Sequence, residues 1–314
     1  MSRDLLSPAR RSSDAAPLTV GGPYVVALGG GYGLSATLRA ARLYAGRITG
    51  IVSVADDGGS SGRLREAFGI PAPGDLRRCL VALAAEGNVW AEAFEHRFDG
   101  SDLDGHPVGN IVLAGLTDTL GSFGAAIDEC LRLLGGVGRV VPATTEPVTL
   151  KAVHRDPRSP GGRRTVEGEV EVGKTPHLMS IGVVPADPSV SDEALQAIAE
   201  ADQLILGPGS LFTSVLAVLA IPAIRDAVST SKARRVYVAN LGEQHPETTG
   251  FDVAAHVDAL RSHGVEPDLV LVDPDGLDIG PLDSVTVLAR RLAGNDLRLH
   301  DPERMAAALR ELHH

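Results

Sequence analysis

Residues 24–38 have the sequence YVVALGGGYGLSATL, which joins an apolar run to a cluster of glycines. The run Tyr24–Leu28 is short, apolar and rich in β-branched residues, and this predicts a buried strand. Helical character follows in Leu34–Tyr44, and the segment ITGIVSV at Ile48–Val54 predicts a second strand. The order strand, helix, strand indicates a βαβ unit, which is the building block of parallel sheets.

Later parts of the chain repeat this alternation. Further short apolar runs predict strands, and the segments between them predict helices: strands at Gln203–Leu206, Arg235–Val238 and Leu269–Val272, helices at Leu211–Leu219 and Val253–His263. Alternating strands and helices favour a mainly parallel sheet with helices on both faces. The sequence therefore predicts a Rossmann-like α/β fold.

The character of the chain changes between about residues 145 and 185. Three segments there predict β-strands around the polar turn PRSPGGRR, namely VTLKAVHRD, RRTVEGEVEVG and LMSIGVV. We interpret them as a β-rich insertion in a single α/β domain that spans residues 21–314. Residues 1–20 mix charge, serine and proline without the apolar core of a signal peptide, which predicts a flexible N-terminal tail.

Composition and charge argue against several classes of protein. The 314 residues are 44% apolar, as is ordinary for a globular protein, and their formal net charge is −11. This excess of negative charge disfavours nucleic acid as a partner, because sequence-independent binding of the phosphate backbone needs clusters of Lys and Arg on the protein surface. Two uncharged stretches are interrupted by glycine and proline turns, so no membrane span is expected. Cys79 and Cys130 are expected to be buried thiols, and the expected location is the cytoplasm.

The glycines after the first predicted strand indicate a ligand. Gly30, Gly31 and Gly33 let the backbone turn sharply and approach a phosphate, which the amides at the start of the next helix then bind. The same residues fit a loose dinucleotide pattern, which is a weak signal when it stands alone. A purely structural turn is the alternative, and it would use only one or two glycines.

The segment VADDGGSSGRLR, Val54–Arg65, places two carboxylates before a run of small residues and two arginines after it. The second strand of an open α/β sheet brings its loop to the same edge as the first, so Asp56 and Asp57 are expected near the ligand. Adjacent residues of an extended segment point in opposite directions, so one carboxylate should face the ligand and the other hold the loop. A carboxylate can accept sugar hydroxyls or anchor a hydrated magnesium ion, the small residues can form a phosphate nest, and Arg63 adds positive charge.

Three further segments place polar residues at predicted helix starts. Asp75 in PAPGDLRRCLVALA and Asn110 in GHPVGNIVLAGL are expected to cap helices. Arg77 and Arg78 lie in the first turn of the helix after Asp75, where cations oppose the helix dipole and a bound anion would explain them. The stretch Gly207–Ser210 lies between a strand and a helix, which predicts a helix N-terminus poised for an anion.

Taken in order, six motifs make the chain similar to the YvcK-type gluconeogenesis factors of the CofD-like superfamily: GGGYGLS, VADDGGSSGRLR, PGDLRRCLVALA, GHPVGN, GPGSLFTSVL and NLGEQHPETTGF. The resemblance extends over about residues 24–302. It implies a Rossmann-like protein that binds a nucleotide sugar such as UDP-N-acetylglucosamine and supports cell shape and envelope synthesis in bacteria growing on gluconeogenic carbon. CofD relatives transfer 2-phospho-L-lactate from a nucleotide-activated donor to a deazaflavin with magnesium, and such a transferase is the alternative function.

Matched position by position, the resemblance implies a nucleotide site formed by Gly30, Gly31, Gly33, Ser35, Asp56, Asp57, Gly58, Gly59, Ser60, Ser61, Arg63, Asp75, Asn110, Gly207, Gly209 and Ser210. Asp57 is assigned to Mg²⁺, and no catalytic residue is assigned. Tyr32 stands where many relatives carry threonine, so it could narrow the phosphate loop or stack on a base. The sequence leaves open whether the chain is catalytic, which nucleotide it binds and whether it forms a homo-oligomer. An NAD-dependent oxidoreductase is disfavoured, because a glycine-serine nest directly follows the acidic residues.

Overall fold

The fold is built on one parallel sheet in a computed structural model that describes residues 18–283 and 285–312. The strands of this sheet are β1 (Tyr24–Gly29), β2 (Arg47–Val52), β3 (Arg139–Pro142), β7 (Gln203–Leu206), β8 (Arg234–Val238), β9 (Leu269–Val272) and β10 (Thr286–Ala289). Their spatial order is β10-β9-β8-β7-β1-β2-β3, and every neighbouring pair is parallel. The parallel sheet predicted from the sequence is confirmed.

Helices connect and cover these strands. Their bounds are α1 (Gly31–Ala41), α2 (Gly59–Phe68), α3 (Gly74–Leu83), α4 (Val89–Glu95), α5 (Val108–Leu120), α6 (Phe123–Leu133), α7 (Glu169–Gly173), α8 (Asp192–Glu200), α9 (Leu216–Leu219), α10 (Pro222–Thr230), α11 (Val253–Ser262) and α12 (Pro302–Glu311). A π-helical turn, Leu211–Val215, runs directly into α9. The helix predicted at Leu211–Leu219 is therefore present, although its first turn is wider than an α-helical turn.

The centre of the sheet is the core of the molecule. All six residues of β1 are buried, and Val25, Val26 and Leu28 are completely inaccessible to solvent. A parallel strand that is covered on both faces has no polar side, which explains why the apolar run is continuous and does not alternate. Each such side chain contributes roughly 1.5–3 kcal/mol by its removal from water.

The strand order creates a switch point beside β1. From β1 the chain proceeds through β2 to β3 on one side, and it later proceeds from β7 through β8 and β9 to β10 on the other. The loops that leave the carboxyl ends of β1 and β7 therefore run in opposite directions and open a crevice between them. Ligands of open α/β sheets bind in such a crevice.

The β-rich insertion forms a separate small sheet. Its strands are β4 (Thr149–Arg155), β5 (Arg163–Glu167) and β6 (Leu178–Val184), paired antiparallel in the order β5-β4-β6. The prediction that RRTVEGEVEVG forms one strand is wrong in its second half. Gly168 has a φ of 93°, which ends β5, and α7 begins at the next residue. This break matters for function because it turns α7 toward the main sheet.

Other sequence predictions have mixed outcomes. Both cysteines are buried and free, as predicted. Residues 1–17 of the predicted tail lie outside the described residues. Thr19, which also belongs to the predicted tail, is attached to the fold, because its N–H donates to the carbonyl of Ala45 at 2.9 Å. In the described part of the chain no single helix is long and apolar enough to cross a membrane. One pair, Leu211–Leu219 with Pro222–Thr230, passes by length and composition, but it is bent by 80°.

Candidate functional site

The loops at the switch point enclose two adjoining cavities. The smaller has a volume of about 300 Å³, and the larger has a volume of about 500 Å³. Four residues line both of them and so form their common boundary: Tyr32, Gly33, Gly209 and Gln244. We take the two cavities together as the candidate site, since they lie where the topology predicts ligand binding.

The glycine loop after β1 packs directly on the loop after β7. A Cβ atom on Gly33 would lie 2.5 Å from the carbonyl carbon of Pro208 and 2.8 Å from the amide nitrogen of Gly209. Real Cβ atoms essentially never approach within 3.0 Å of a heavy atom outside their own residue and its chain neighbours, so this contact requires glycine. Asn240 fixes the second loop, because its side chain donates to the carbonyl of Gly209 and accepts from its N–H, both at 3.0 Å. The boundary between the cavities is therefore held by backbone atoms.

Carboxyl groups line one side of the smaller cavity. They belong to Asp56, Asp75 and Glu169. Burial raises the pKa of Asp75, against the opposing effect of Arg78. Burial, followed by the negative charges of Asp56 and Asp75, raises the pKa of Glu169 to about 8. Glu169 is therefore mainly protonated at neutral pH, and its carboxyl group can donate a hydrogen bond there.

The prediction that Asp75 caps a helix is wrong. Helix α3 begins at Gly74, with Pro73 in the N-cap position, so Asp75 already lies inside the first turn. Its carboxylate accepts a hydrogen bond from the Nη1 of Arg78 at 2.7 Å, and only 16% of its side chain is exposed. Because the helix starts two residues earlier than a cap at Asp75 requires, Asp75 lines the smaller cavity and does not cap the helix.

Arg78 supplies positive charge to the same cavity. Its guanidinium carbon lies 4.6 Å from the centre of the Tyr32 ring, which is a cation–π contact. The Nε of Arg78 is buried and has no hydrogen-bond partner. Buried donors in proteins are nearly always satisfied by protein, water or ligand, so this N–H is available to an acceptor that enters the cavity. Arg78 thus bonds to Asp75 through Nη1, and its Nε is available to an anion.

Asp57 connects the acidic loop to the insertion. Its two carboxylate oxygens accept hydrogen bonds from the backbone N–H groups of Glu169 and Val170, each at 3.0 Å. These are the first amides of α7, so Asp57 holds that helix, and with it Glu169, against the cavity. Asp56 lines the cavity and Asp57 does not. The assignment of Asp57 to Mg²⁺ stays a prediction, and among the described residues no group of three or more His, Cys, Asp or Glu side chains could hold a metal ion.

The cap predicted at Asn110 is also wrong. Helix α5 begins at Val108, and Asn110 is buried in its first turn. The side-chain oxygen of Asn110 accepts from Nε of Arg77 at 3.1 Å, and its amide donates to Oγ of Ser60 at 3.1 Å. Ser60 in turn contacts Nδ1 of His106 at 2.8 Å. This buried network fixes the acidic loop and lines neither of the two cavities.

A protein carboxylate already occupies the helix N-terminus after Gly207–Ser210. Glu247 accepts hydrogen bonds from the N–H groups of Phe212 and Thr213, at 2.6 and 3.4 Å, and from the Thr213 hydroxyl at 3.2 Å. The prediction that this helix N-terminus is open to an anion is therefore wrong for these two amides. Burial raises the pKa of Glu247, while the hydrogen bonds oppose that rise.

The predicted site residues divide into two groups. Those that line the cavities are Gly30, Gly31, Gly33, Ser35, Asp56, Asp75, Gly209 and Ser210. Those that lie outside both are Asp57, Gly58, Gly59, Ser60, Ser61, Arg63, Asn110 and Gly207. Nη2 of Arg63 donates to the carbonyl oxygen of Asp104 at 2.6 Å, so the role of Arg63 as an anion contact stays a prediction.

Several lining residues were not predicted. Asn240 and Gln244 belong to the motif NLGEQHPETTGF, which signalled the region but not their roles. Glu169 and His300 had no local signal, because the insertion and the C-terminal segment carry them to the site. Nε2 of His300 lies 3.2 Å from the carbonyl oxygen of Ala239, and burial lowers the pKa of His300 to about 4, which keeps the ring neutral.

Comparisons with known proteins identify the family of the chain. The family model described as 2-phospho-L-lactate transferase CofD matches residues 25–303. A putative gluconeogenesis factor of Aquifex aeolicus is 38% identical, over 91% of this chain and 95% of the relative. The gluconeogenesis factor of Bacillus subtilis is 40% identical, over 77% of this chain and 75% of the relative.

A solved structure has the same fold. It is the crystal structure of a member of the UPF0052 family from Bacillus halodurans, which superposes with a TM-score of 0.85 and is 35% identical. The match covers 91% of this chain and 97% of the solved one. The fold that positions the two cavities is therefore shared across nearly the whole of both chains.

Proposed function

Because this chain belongs to the CofD family and, within it, to the gluconeogenesis factors of the YvcK type, we propose that it binds a nucleotide sugar of the UDP-N-acetylglucosamine type. Binding of this ligand would link the supply of sugar precursors to cell shape and envelope synthesis on gluconeogenic carbon. The observation that carries the proposal is the pair of adjoining cavities at the switch point, which differ in chemistry.

The chemistry of each cavity suits one end of such a ligand. The smaller cavity has the carboxyl groups of Asp56, Asp75 and Glu169, which can bond to sugar hydroxyls. The larger cavity combines apolar side chains with the side-chain amides of Asn240 and Gln244, a combination that suits a nucleobase. In this arrangement the diphosphate lies at their shared boundary.

Positive charge for the diphosphate is available on both sides of that boundary. Arg78 lines the smaller cavity and Arg39 lines the larger one. The unpartnered Nε of Arg78 supplies a charge-assisted donor, and such bonds are about twice as strong as neutral ones. The raised pKa of Glu169 supports the same assignment, since a protonated carboxyl group does not repel the phosphates.

The family resemblance also implies Mg²⁺. Asp56 fits this ion better than Asp57 does, because both oxygens of Asp57 already accept from α7. Protein-bound Mg²⁺ usually takes one or two carboxylates together with phosphate oxygens and waters. We expect excess EDTA to weaken nucleotide-sugar binding, and unchanged affinity would mean that the carboxylates serve hydroxyl groups alone.

Isothermal titration calorimetry tests the proposal directly. The parent protein is titrated with UDP-N-acetylglucosamine, UDP, GDP and NAD, together with an Arg78→Gln variant and a control, Arg132→Gln. Arg132 is exposed, pairs with Glu129 on α6 and lines neither cavity. We expect UDP-N-acetylglucosamine to bind the parent and the control alike and the Arg78 variant at least about tenfold more weakly, which is about 1.4 kcal/mol. Absence of binding to the parent at millimolar concentration would refute the proposal.

A CofD-type phosphotransferase is the second candidate. The observation that favours it is Glu169, whose pKa of about 8 lies close to neutral pH, as general acid–base groups require. The test incubates the protein with Mg²⁺, a deazaflavin and a nucleotide-activated 2-phospho-L-lactate donor, and detects the product by mass spectrometry. Product formed by the parent and strongly reduced in Glu169→Gln would support this candidate, and no product from the parent would reject it.

A further inference from the structure

The hairpin of the insertion concentrates positive charge in an acidic chain. Residues 151–167 contain five Lys or Arg and two Asp or Glu, so their net charge is +3, while the whole chain carries −11. Four arginines lie at or near the tip of this hairpin: Arg155, Arg158, Arg163 and Arg164, which we call the basic hairpin. All four are exposed.

The arginines of the basic hairpin form no salt bridge with the part of the chain that the structure describes, although the pKa of Asp156 is lowered by its hydrogen bonds and, to a smaller extent, by the charge of Arg164. Among the described residues none of the four forms an ion pair, whereas Lys151, on the same strand as Arg155, pairs with Glu167 at 2.9 Å. Asp156 lies between Arg155 and Arg158 in sequence, but its carboxylate accepts hydrogen bonds from the N–H of Arg158 and the hydroxyl of Ser159. The acidic side chain nearest in sequence is therefore committed to shaping the turn.

The strand register brings like charges together. Arg155 on β4 lies directly opposite Arg163 on β5. Directly opposed residues of an antiparallel pair have Cβ atoms only about 4.5–5.5 Å apart, and like charges there are destabilising. The fold alone gives no reason for this pair, since a threonine or an acidic residue at either position would suit the sheet better.

The same two arginines border a surface cavity. It has a volume of about 340 Å³, and its lining is formed by Arg155, Pro157, Gly161, Gly162, Arg163 and Met179. None of these residues lines either cavity at the switch point. Arg163, which lines this cavity, begins β5, whereas the contact of Asp57 with α7 follows the other end of that five-residue strand. The basic hairpin is thus a surface separate from the candidate site.

We propose that the basic hairpin is a docking surface for an acidic segment of a partner protein. Guanidinium groups bind carboxylates with two parallel hydrogen bonds, so adjacent arginines can hold successive Asp or Glu side chains of an extended segment. The open cavity between Arg155 and Arg163 gives one carboxylate a partly enclosed position, and Met179 offers apolar contact beside it. The negative charge of the remaining surface repels such a segment elsewhere and directs it to the hairpin. This proposal does not depend on the nucleotide-sugar assignment.

Fluorescence anisotropy with a labelled peptide of about ten glutamates tests the charge chemistry. The variants are Arg155→Ser/Arg163→Ser and the control Arg132→Ser, which removes an exposed arginine elsewhere. We expect the dissociation constant to rise about tenfold or more in the double variant and to stay within about twofold in the control. Binding to the parent should weaken as NaCl is raised from about 50 to about 500 mM.

Folding of the variants is checked by thermal melting. Because Arg155 and Arg163 repel each other, the double variant should melt at the same temperature as the parent or higher. Equal peptide binding by parent and double variant, or no binding by the parent, would overturn the proposal.

Evidence for either of two other partners at the basic hairpin would also overturn the proposal. Without peptide binding, a membrane surface is indicated if the parent cosediments with phosphatidylglycerol vesicles and the double variant does not. Without peptide binding, a second copy of the chain is indicated if sedimentation velocity shows self-association that the double variant loses.

Discussion

The contact of Gly33 with Pro208 gives a prediction in which local propensity and tertiary packing have opposite signs. Gly33 lies within α1, where glycine is about 1 kcal/mol less favourable than alanine, so propensity alone predicts that Gly33→Ala stabilises the protein. The structure predicts the reverse, because the new Cβ would lie 2.5 Å from the carbonyl carbon of Pro208 and 2.8 Å from the nitrogen of Gly209.

The size of the effect follows from those separations. Ordinary van der Waals contact begins at 3.4 Å, so the two backbones would have to separate by about 1 Å, and overpacking of this kind costs about 1–3 kcal/mol. In a chain of this length about 1 kcal/mol corresponds to roughly 1–2 °C in melting temperature. The boundary between the two cavities would open as well, so binding of UDP-N-acetylglucosamine should weaken about tenfold or more.

The assay compares Gly33→Ala with Gly31→Ala in urea denaturation and calorimetric titration. Gly31 has a φ of 60° and no atom within 4 Å of its added Cβ, so alanine there is strained by conformation and not by a clash. That strain costs about 1–2 kcal/mol. We expect Gly31→Ala to lose stability but keep the contact between the loops, and hence to bind ligand better than Gly33→Ala. A Gly33→Ala protein as stable as the parent, with unchanged affinity, would refute the reasoning.

Three further predictions concern the charged residues of the site. Asp57→Asn should lower the melting temperature more than Asp56→Asn, and Asp56→Asn should weaken ligand binding more, because Asp57 holds α7 and Asp56 lines the cavity; the reverse order in paired melting and titration experiments would contradict this. The raised pKa of Glu169 means that, between about pH 5 and about pH 8, the folded state holds a proton that the unfolded state has released. The free energy of unfolding should therefore fall as the pH rises through this range. Urea denaturation should show a smaller fall for Glu169→Gln, and parallel pH profiles would count against it. Arg78→Lys should weaken nucleotide-sugar binding by on the order of 1–3 kcal/mol and Arg63→Lys by less, as calorimetry can measure. A larger loss for Arg63→Lys would make Arg63, and not Arg78, the main cationic contact.

Features of the site that depend on neighbours in sequence could be predicted. The apolar run Tyr24–Leu28 and the glycines that follow it specify a strand and a tight turn through local backbone preferences. The opposite directions of adjacent side chains also predicted that Asp56 and Asp57 would have separate roles. Which of the two faces the cavity depends on α7, a helix more than a hundred residues later, as the separations of 112 and 113 residues in the Asp57 contacts show.

The sequence by itself predicted five of the seven strands of the parallel sheet, the insertion and the loops that follow β1, β2 and β7, because strand and helix periodicity and glycine chemistry act over a few residues. The short strands β3 and β10 were not predicted. Only the tertiary structure decided which polar groups meet there. Asp75 and Asn110 satisfy the local rule for caps, yet each helix begins earlier, so their side chains bond to Arg78 and to Arg77 and Ser60. Glu247 fills the helix N-terminus after Ser210, and Glu169 reaches the acidic cavity from the insertion. The physical reason is that hydrogen bonds and charges act across space, and the partners that burial brings together leave no pattern in the local sequence.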